Sequence, residues 1–239
     1  MNSNQYLREI KLNKETISSF SKYPYCLPAI KDLSTLELHP KVTYIVGENG
    51  TGKSTILEAI AIAYGFNPEG GTKNFKFSTQ NTHSDLWKSL KLIKGIKKPK
   101  NSFFLRSESF YNLASNIDEI DAIDSYGGIS LHEQSHGESF MAVIMNRFKE
   151  DGLYILDEPE AALSPARQMV FISRMRDLIQ KNCQFIITTH SPIIMSYPDS
   201  IIYELKENLE RVKYEDTENY KVTKAFINNP KKMLDILFE

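Results

Sequence analysis

Residues 47–55 read Gly-Glu-Asn-Gly-Thr-Gly-Lys-Ser-Thr, a run that satisfies G-x-x-x-x-G-K-[ST]. It follows an apolar, β-branched stretch, Val42-Thr-Tyr-Ile-Val46, and leads into a helix-forming run, Ile56-Leu-Glu-Ala-Ile-Ala-Ile-Ala63. Strand, glycine-rich turn and helix are the context that makes this pattern a phosphate-binding loop. Gly47, Gly50 and Gly52 let the backbone curl so that successive N–H groups of Glu48, Asn49, Thr51 and their neighbours face phosphate oxygens. The helix N-terminus at Thr55 adds partial positive charge. Lys53 reaches toward β- and γ-phosphates, and the Ser54 hydroxyl suits Mg²⁺.

Composition narrows the setting. The 239 residues are 41% hydrophobic and 25% charged, with a net charge of −1. That is enough chain for one sizeable α/β core, and no global basic field calls for nucleic acid or an anionic membrane. No apolar run approaches the roughly 20 residues that span a bilayer, and the N-terminal residues lack the apolar core of a signal peptide. Cys26 and Cys183 are far apart and in no metal spacing, so both read as packing thiols in a reducing cytosol.

Along the chain, residues 5–46 alternate strand-like runs with turns such as Tyr23-Pro-Tyr-Cys-Leu-Pro28. Strands are expected at Asn74–Thr79, Leu86–Ile96, Ser102–Arg106, Leu153–Leu156, Gln184–Thr189, Ile201–Leu205 and Val212–Glu215. A helix is expected over Ser139–Lys149, and another from Ser164-Pro165 to Ile179, with Ser as N-cap and Pro at N1. Two more, Thr217–Ile227 and Pro230–Phe238, are expected to pack on the core, with a partner-binding surface as the alternative.

Three further elements carry chemistry. Leu153-Tyr-Ile-Leu-Asp157-Glu158 is an apolar strand ending in carboxylates, which a phosphate loop needs beside it: Asp157 to hold Mg²⁺ and Glu158 to reach an attacking water as general base. Ser135-His136-Gly137-Glu138, 22 residues before Asp157, offers a hydroxyl and a bare backbone N–H at a helix start. Those groups suit a γ-phosphate and equally suit an ordinary cap at Ser135 or Ser139. His190 follows the buried strand Gln184-Phe-Ile-Ile-Thr-Thr189, where α/β sheets collect ligands.

In this order the four runs resemble an ABC-type ATPase domain, with Walker A at 47–54, signature at 135–138, Walker B at 153–158 and a switch histidine at 190. Asp157-Glu-Pro-Glu160 followed by Leu163-Ser-Pro165 is similar to the overcoming-lysogenization-defect family and to double-strand-break repair heads. The whole chain resembles small stand-alone bacterial predicted ATPases. The resemblance implies an α/β P-loop NTPase fold: a mostly parallel core sheet, a small antiparallel β subdomain, and a helical signature region at about 107–150, all within one domain over 1–239. The sequence departs from the family at His136, often Gly, and at Ser164, often Asp. The Q-loop position falls on Glu108, which would contact Mg²⁺ or water, or on Gln80. Tyr23 and Tyr25 are the candidates for stacking on adenine.

The resemblance also implies a mechanism. ATP and Mg²⁺ would be bound between two copies of the chain arranged head to tail, Ser135 and Gly137 of one capping the γ-phosphate on the other's Lys53. Glu158 would activate water, His190 would contact the γ-phosphate, and hydrolysis would release the dimer. The favoured expectation is a cytoplasmic ATP-driven switch for a protein or nucleic-acid partner that the sequence does not name. The alternatives are a transporter's nucleotide-binding subunit, a DNA-associated repair or defence ATPase, and a scaffold with little turnover. Only 81 residues separate Lys53 from Ser135, with no heptads, which argues against a long coiled-coil insertion. Lysines 88, 91, 94, 97, 98 and 100 fit a solvated sheet edge or a nucleic-acid contact.

Overall fold

The structure is a computed structural model that describes residues 5–73 and 84–238. The Asn74–Thr79 strand and Gln80 lie outside the described residues. In chain order the elements are β1 (Leu7–Leu12), α1 (Pro28–Lys31), β2 (Thr35–Glu37), β3 (Val42–Gly47), α2 (Lys53–Tyr64), β4 (Leu90–Lys94), β5 (Asn101–Arg106) and α3 (Phe110–Glu119). Then follow α4 (His136–Arg147), β6 (Gly152–Asp157), α5 (Pro165–Gln180), β7 (Gln184–Thr188), β8 (Ser200–Leu205), β9 (Leu209–Val212), α6 (Glu218–Asn228) and α7 (Pro230–Phe238).

Two sheets form. The larger has the order β5-β6-β7-β3-β8-β9, parallel from β5 to β8, with β9 antiparallel at its edge. The smaller is antiparallel, β2-β1-β4. Strands β3, β6 and β7 are buried along their whole length, as a parallel strand covered on both faces must be. Side chains alternate between two cores. Tyr154, Leu156, Phe185 and Ile187 face the helices α3, α4 and α5. Leu153, Ile155, Ile186 and Ile45 face α2 and the antiparallel sheet.

A single buried amide joins the two sheets. Gln184, at the start of β7, accepts the backbone N–H groups of Tyr6 and Leu7 at 3.0 Å each, and donates to Leu7 O at 2.7 Å and His39 O at 3.0 Å. All its hydrogen-bonding capacity is used where water is absent, so its loss strands backbone donors.

Several sequence expectations need correction. The strand expected over Leu86–Ile96 is shorter, because residues 85–89 form a 3-10 turn closed by a Lys88–Asp85 ion pair at 2.7 Å. Leu86 is buried there, and the Ser89 hydroxyl meets Thr16 and Tyr25. Helix α4 begins at His136 rather than Ser139, since Ser135 and Glu138 form a reciprocal capping box. The strand expected over Val212–Glu215 runs from Leu209 to Val212, and Tyr214–Asp216 turns to bury Thr217. Helices α6 and α7 do not pack into the core: neither has a buried residue, and Val222, Ile227, Ile236, Leu237 and Phe238 are exposed. Helix α5 starts as read, with the Ser164 hydroxyl accepting Arg167 N–H.

Replacing Gln184 by Leu is expected to lower unfolding free energy by about 3 kcal/mol, from stranding two buried N–H groups; urea unfolding followed by circular dichroism measures it.

Candidate nucleotide site

The site is assembled at the carboxyl ends of the parallel strands. Register places Asp157 beside Thr188 and Arg106, and Thr188 beside Ile45, two residues before Gly47. The chain then turns tightly. Gly47 lies so close to β8 that a Cβ there would sit 2.5 Å from Leu205 O, with φ of +145°. Gly52 has φ of +100° and caps α2 with no side chain, which leaves the first N–H groups of the helix for an anion.

A cavity of about 460 Å³ opens on this loop, lined by Tyr23, Leu27, Asn49, Gly50, Gly52, Lys53, Ser54, Thr55, Glu108 and Glu158. A second, of about 480 Å³, lies on the other side of the loop against Glu204, Lys206 and Asn219. The first holds the chemistry. Lys53 is 3% exposed, donates to Glu48 O at 2.8 Å, and stands 3.8 Å from Glu158 Oε1. The same Glu158 oxygen lies 3.3 Å from His190 Nε2. Ser54 hydrogen-bonds through its side chain to Asp157. Asp157 also accepts the Thr188 hydroxyl at 2.6 Å, with Arg106 Nε 3.6 Å away. Lys53, Ser54, Asp157, Glu158 and His190 therefore converge.

Glu158 adopts φ of +48°, a left-handed conformation that costs energy for a residue with a Cβ. It is fastened there. Its N–H donates to Thr188 O and Oγ1, both at 3.1 Å, and its carbonyl accepts the Ser107 hydroxyl at 2.8 Å. The turn swings the Glu158 carboxylate away from the strand direction and toward Lys53.

Burial sets the electrostatics. It pushes the Asp157 carboxyl up, opposed by the Thr188 hydrogen bond and by Arg106. It pushes Glu160 up as well. It pulls the Lys53 ammonium down, offset by Glu158 and Asp157. The His190 imidazole is lowered first by burial and then by Lys53, against Glu158. Burial thus works against the charged form of each of these groups, and a divalent cation between Ser54 and Asp157 would favour the ionised carboxylate.

Four residues escaped the sequence reading. Glu160 accepts the Thr189 hydroxyl at 2.8 Å and the His190 N–H, so it braces the histidine's backbone. Asn219, from α6, donates to His190 O at 2.8 Å. Arg106 gathers Glu58 at 2.6 Å, Glu108 at 3.2 Å and Asp157. Arg167 lies 3.3 Å from Glu138. The second Glu of Asp-Glu-Pro-Glu is a visible signal for Glu160; the other three contacts join distant parts of the chain.

Other expected residues fall as follows. Glu108 lines the cavity but is tied to Arg106. Tyr23 lines it too, its hydroxyl 3.2 Å from Thr55, whereas Tyr25 is drawn to Ser89. Ser135, His136, Gly137 and Glu138 line neither cavity; the His136 ring meets Phe110 edge-on, and Ser135 bonds to Glu138. Among the described residues no cluster of His, Cys, Asp and Glu is built to hold a metal without a bound ligand.

This sheet order and loop define a P-loop NTPase fold. A protein-family model described as AAA ATPase domain matches residues 73–195, about half the chain, and the chain belongs to that family. The match contains Ser135, Asp157, Glu158 and His190, and begins after the phosphate loop. No curated protein matches. A bacterial Atm1-family ABC exporter solved with ATP bound is similar at 15% identity and a TM-score of 0.54, over 92% of this chain and 42% of its own. An inward-facing metal-chelate type ABC transporter is similar at 15% identity and 0.52, over 92% and 88%. The SMC head domain from Thermotoga maritima is similar at 15% identity and 0.47, over 87% and 98%. At these identities the likeness is one of fold.

Asp157→Asn is expected to raise the thermal midpoint of the ligand-free protein at pH 8, because it removes a buried charge. The folded carboxyl titrates above its unfolded value, so protonation relieves that penalty as pH falls through the folded value. The gain therefore shrinks toward pH 4; melts across pH 4–8 check both the sign and the window.

Proposed function

We propose that this protein binds and hydrolyses ATP with Mg²⁺ and works as a nucleotide-dependent switch in which two copies meet head to tail. The observation that carries the reading is the placement of Glu158. One carboxylate stands within 3.8 Å of the phosphate-loop lysine and 3.3 Å of His190, while Ser54 and Asp157 touch beside it. That is the set needed to bind a triphosphate, hold its cation and deprotonate an attacking water.

The roles follow. The N–H groups of residues 48–55 cradle the phosphates, and Lys53 neutralises charge as the γ-phosphoryl group leaves. Ser54 and Asp157 would hold Mg²⁺, which would withdraw charge from the phosphate oxygens. Glu158 takes the water proton. His190, held from both sides of its backbone by Glu160 and Asn219, presents a neutral imidazole to the γ-phosphate. Tyr23 offers its exposed ring to the base, and Glu108, at the cavity wall, would offer an oxygen acceptor toward Mg²⁺ or water.

The signature residues support the dimer. They line neither cavity beside their own phosphate loop, which is compatible with Ser135 and Gly137 meeting a γ-phosphate on a second copy. No described helix is long and apolar enough to cross a membrane. Within the lysine run, Lys88 pairs with Asp85, Lys100 pairs with Asp151, and Lys94 sits over the Tyr64 ring. Those engagements, on the edge strand β4 and the turns flanking it, favour the solvated-edge reading over nucleic acid. The exposed apolar residues of α6 and α7 favour a protein partner, and the free thiols of Cys26 and Cys183 suit a cytoplasmic setting.

Lys53→Ala is expected to abolish binding of a fluorescent ATP analogue. Glu158→Gln should keep that binding and lose at least about 100-fold in turnover. Full turnover in either variant would refute the assignment. Turnover per subunit should also rise with protein concentration, because two copies build each site. Tyr23→Ala should weaken nucleotide binding about tenfold.

A further inference from the structure

Building on the head-to-tail reading, we propose that Arg167 is a second signature group, a γ-phosphate ligand delivered in trans beside Ser135. It is stored on Glu138 until a partner's nucleotide takes that carboxylate's place.

The contacts carry the argument. The Ser135 hydroxyl donates to Glu138 Oε2 at 2.5 Å, and Ser135 N–H donates to the same oxygen at 3.1 Å. The guanidinium of Arg167 meets the other oxygen, Nη2 to Oε1 at 3.3 Å. Two groups that recognise anionic oxygen, the Ser135 cap and the Arg167 guanidinium, are thus turned onto one carboxylate. The Ser135 contacts are the largest of the causes that hold the Glu138 carboxyl below its ordinary value, and Arg167 adds to them.

Gly137 lies directly under the guanidinium. A Cβ at 137 would come within 2.3 Å of Arg167 Nη1 and 2.8 Å of Ala162 O. The signature glycine is therefore what lets Arg167 lie over the first turn of α4. The arginine is fixed at its base by the Ser164 cap of α5, and its tip is held only by the exposed pair with Glu138, with 37% of its side chain exposed against 56% for Glu138.

The exchange is favourable on general grounds. An exposed ion pair in water is worth little, so releasing Arg167 from Glu138 costs little. A guanidinium on phosphate forms charge-assisted, often bidentate hydrogen bonds, which are stronger. Lys53 and one divalent cation leave a triphosphate short of positive charge, and a cation brought by the opposing chain supplies it.

The test uses the Glu158→Gln protein, with association measured by sedimentation velocity in ATP and Mg²⁺. Adding Arg167→Ala should raise the dimer dissociation constant at least tenfold, and Arg167→Lys should recover part of the loss. The thermal midpoint without nucleotide and the affinity of the dilute monomer for a fluorescent ATP analogue should be unchanged. Glu138→Gln, which keeps an acceptor for the Ser135 N–H but releases the guanidinium, should tighten association. A merely structural Arg167–Glu138 latch predicts the opposite sign, and weakening by Glu138→Gln to match Arg167→Ala would overturn the proposal. An unchanged dissociation constant in the Arg167→Ala protein would also overturn it and leave the head-to-tail reading intact. Failure of the Glu158→Gln protein itself to associate would instead bring down that reading, and this proposal with it.

Discussion

The register of four parallel strands is the constraint on which the site depends. Gly47, Thr188, Asp157 and Arg106 reach the same edge of the sheet because β3, β7, β6 and β5 are paired as they are. A slip of one residue would turn Asp157 into a core and send Leu156 to the nucleotide, since successive side chains face opposite sides. The two cores prevent that slip. Tyr154 and Leu156 fill one face and Leu153 and Ile155 the other, all buried, so the pattern that stabilises the sheet also fixes where the carboxylates emerge.

From that edge the site is made by departures from regular structure. The loop after β3 curls tightly enough to need glycine against Leu205, and the residue after β6 takes a left-handed conformation although it is a glutamate. Both are costs that neighbouring hydrogen bonds sustain. Thr188 serves both carboxylates, donating its hydroxyl to Asp157 and receiving the Glu158 N–H. The same strand that pairs with β3 thus aligns Asp157 and Glu158, the proposed cation ligand and base. Glu160 and Asn219 extend the arrangement to His190 and connect it to α6, a helix with no buried residue. A partner resting on α6 would have a two-bond route to the switch histidine.

Local chemistry was legible in the sequence, and long-range contact was not. The phosphate loop, the carboxylate strand, the Ser164-Pro165 helix start and the order of motifs are each written in a few consecutive residues, and they stand where expected. The start of α4 was open between Ser135 and Ser139 because both are caps; the reciprocal bond with Glu138 decides for Ser135. Residues 85–89 read as strand because Leu86, Trp87 and Leu90 are apolar, yet burial of Ser89 and the Asp85–Lys88 pair select a turn. The apolar periodicity of α6 and α7 suggested burial, but periodicity marks a face and does not say what covers it. Arg106 beside Asp157 and Arg167 beside Glu138 depend on strand register and helix packing, which no short window contains.

The account's central claim is that one chain's phosphate loop is completed by another chain's signature. It is tested most directly by crosslinking two single-cysteine proteins, one carrying Asn49→Cys and the other His136→Cys, each in a background with Cys26→Ala and Cys183→Ala. With Glu158→Gln in both, ATP and Mg²⁺ present and a short bifunctional reagent, the account predicts a covalent dimer from the mixture and none from either protein alone. Nucleotide binding without a crosslink in the mixture, or crosslinks confined to like pairs, would contradict it.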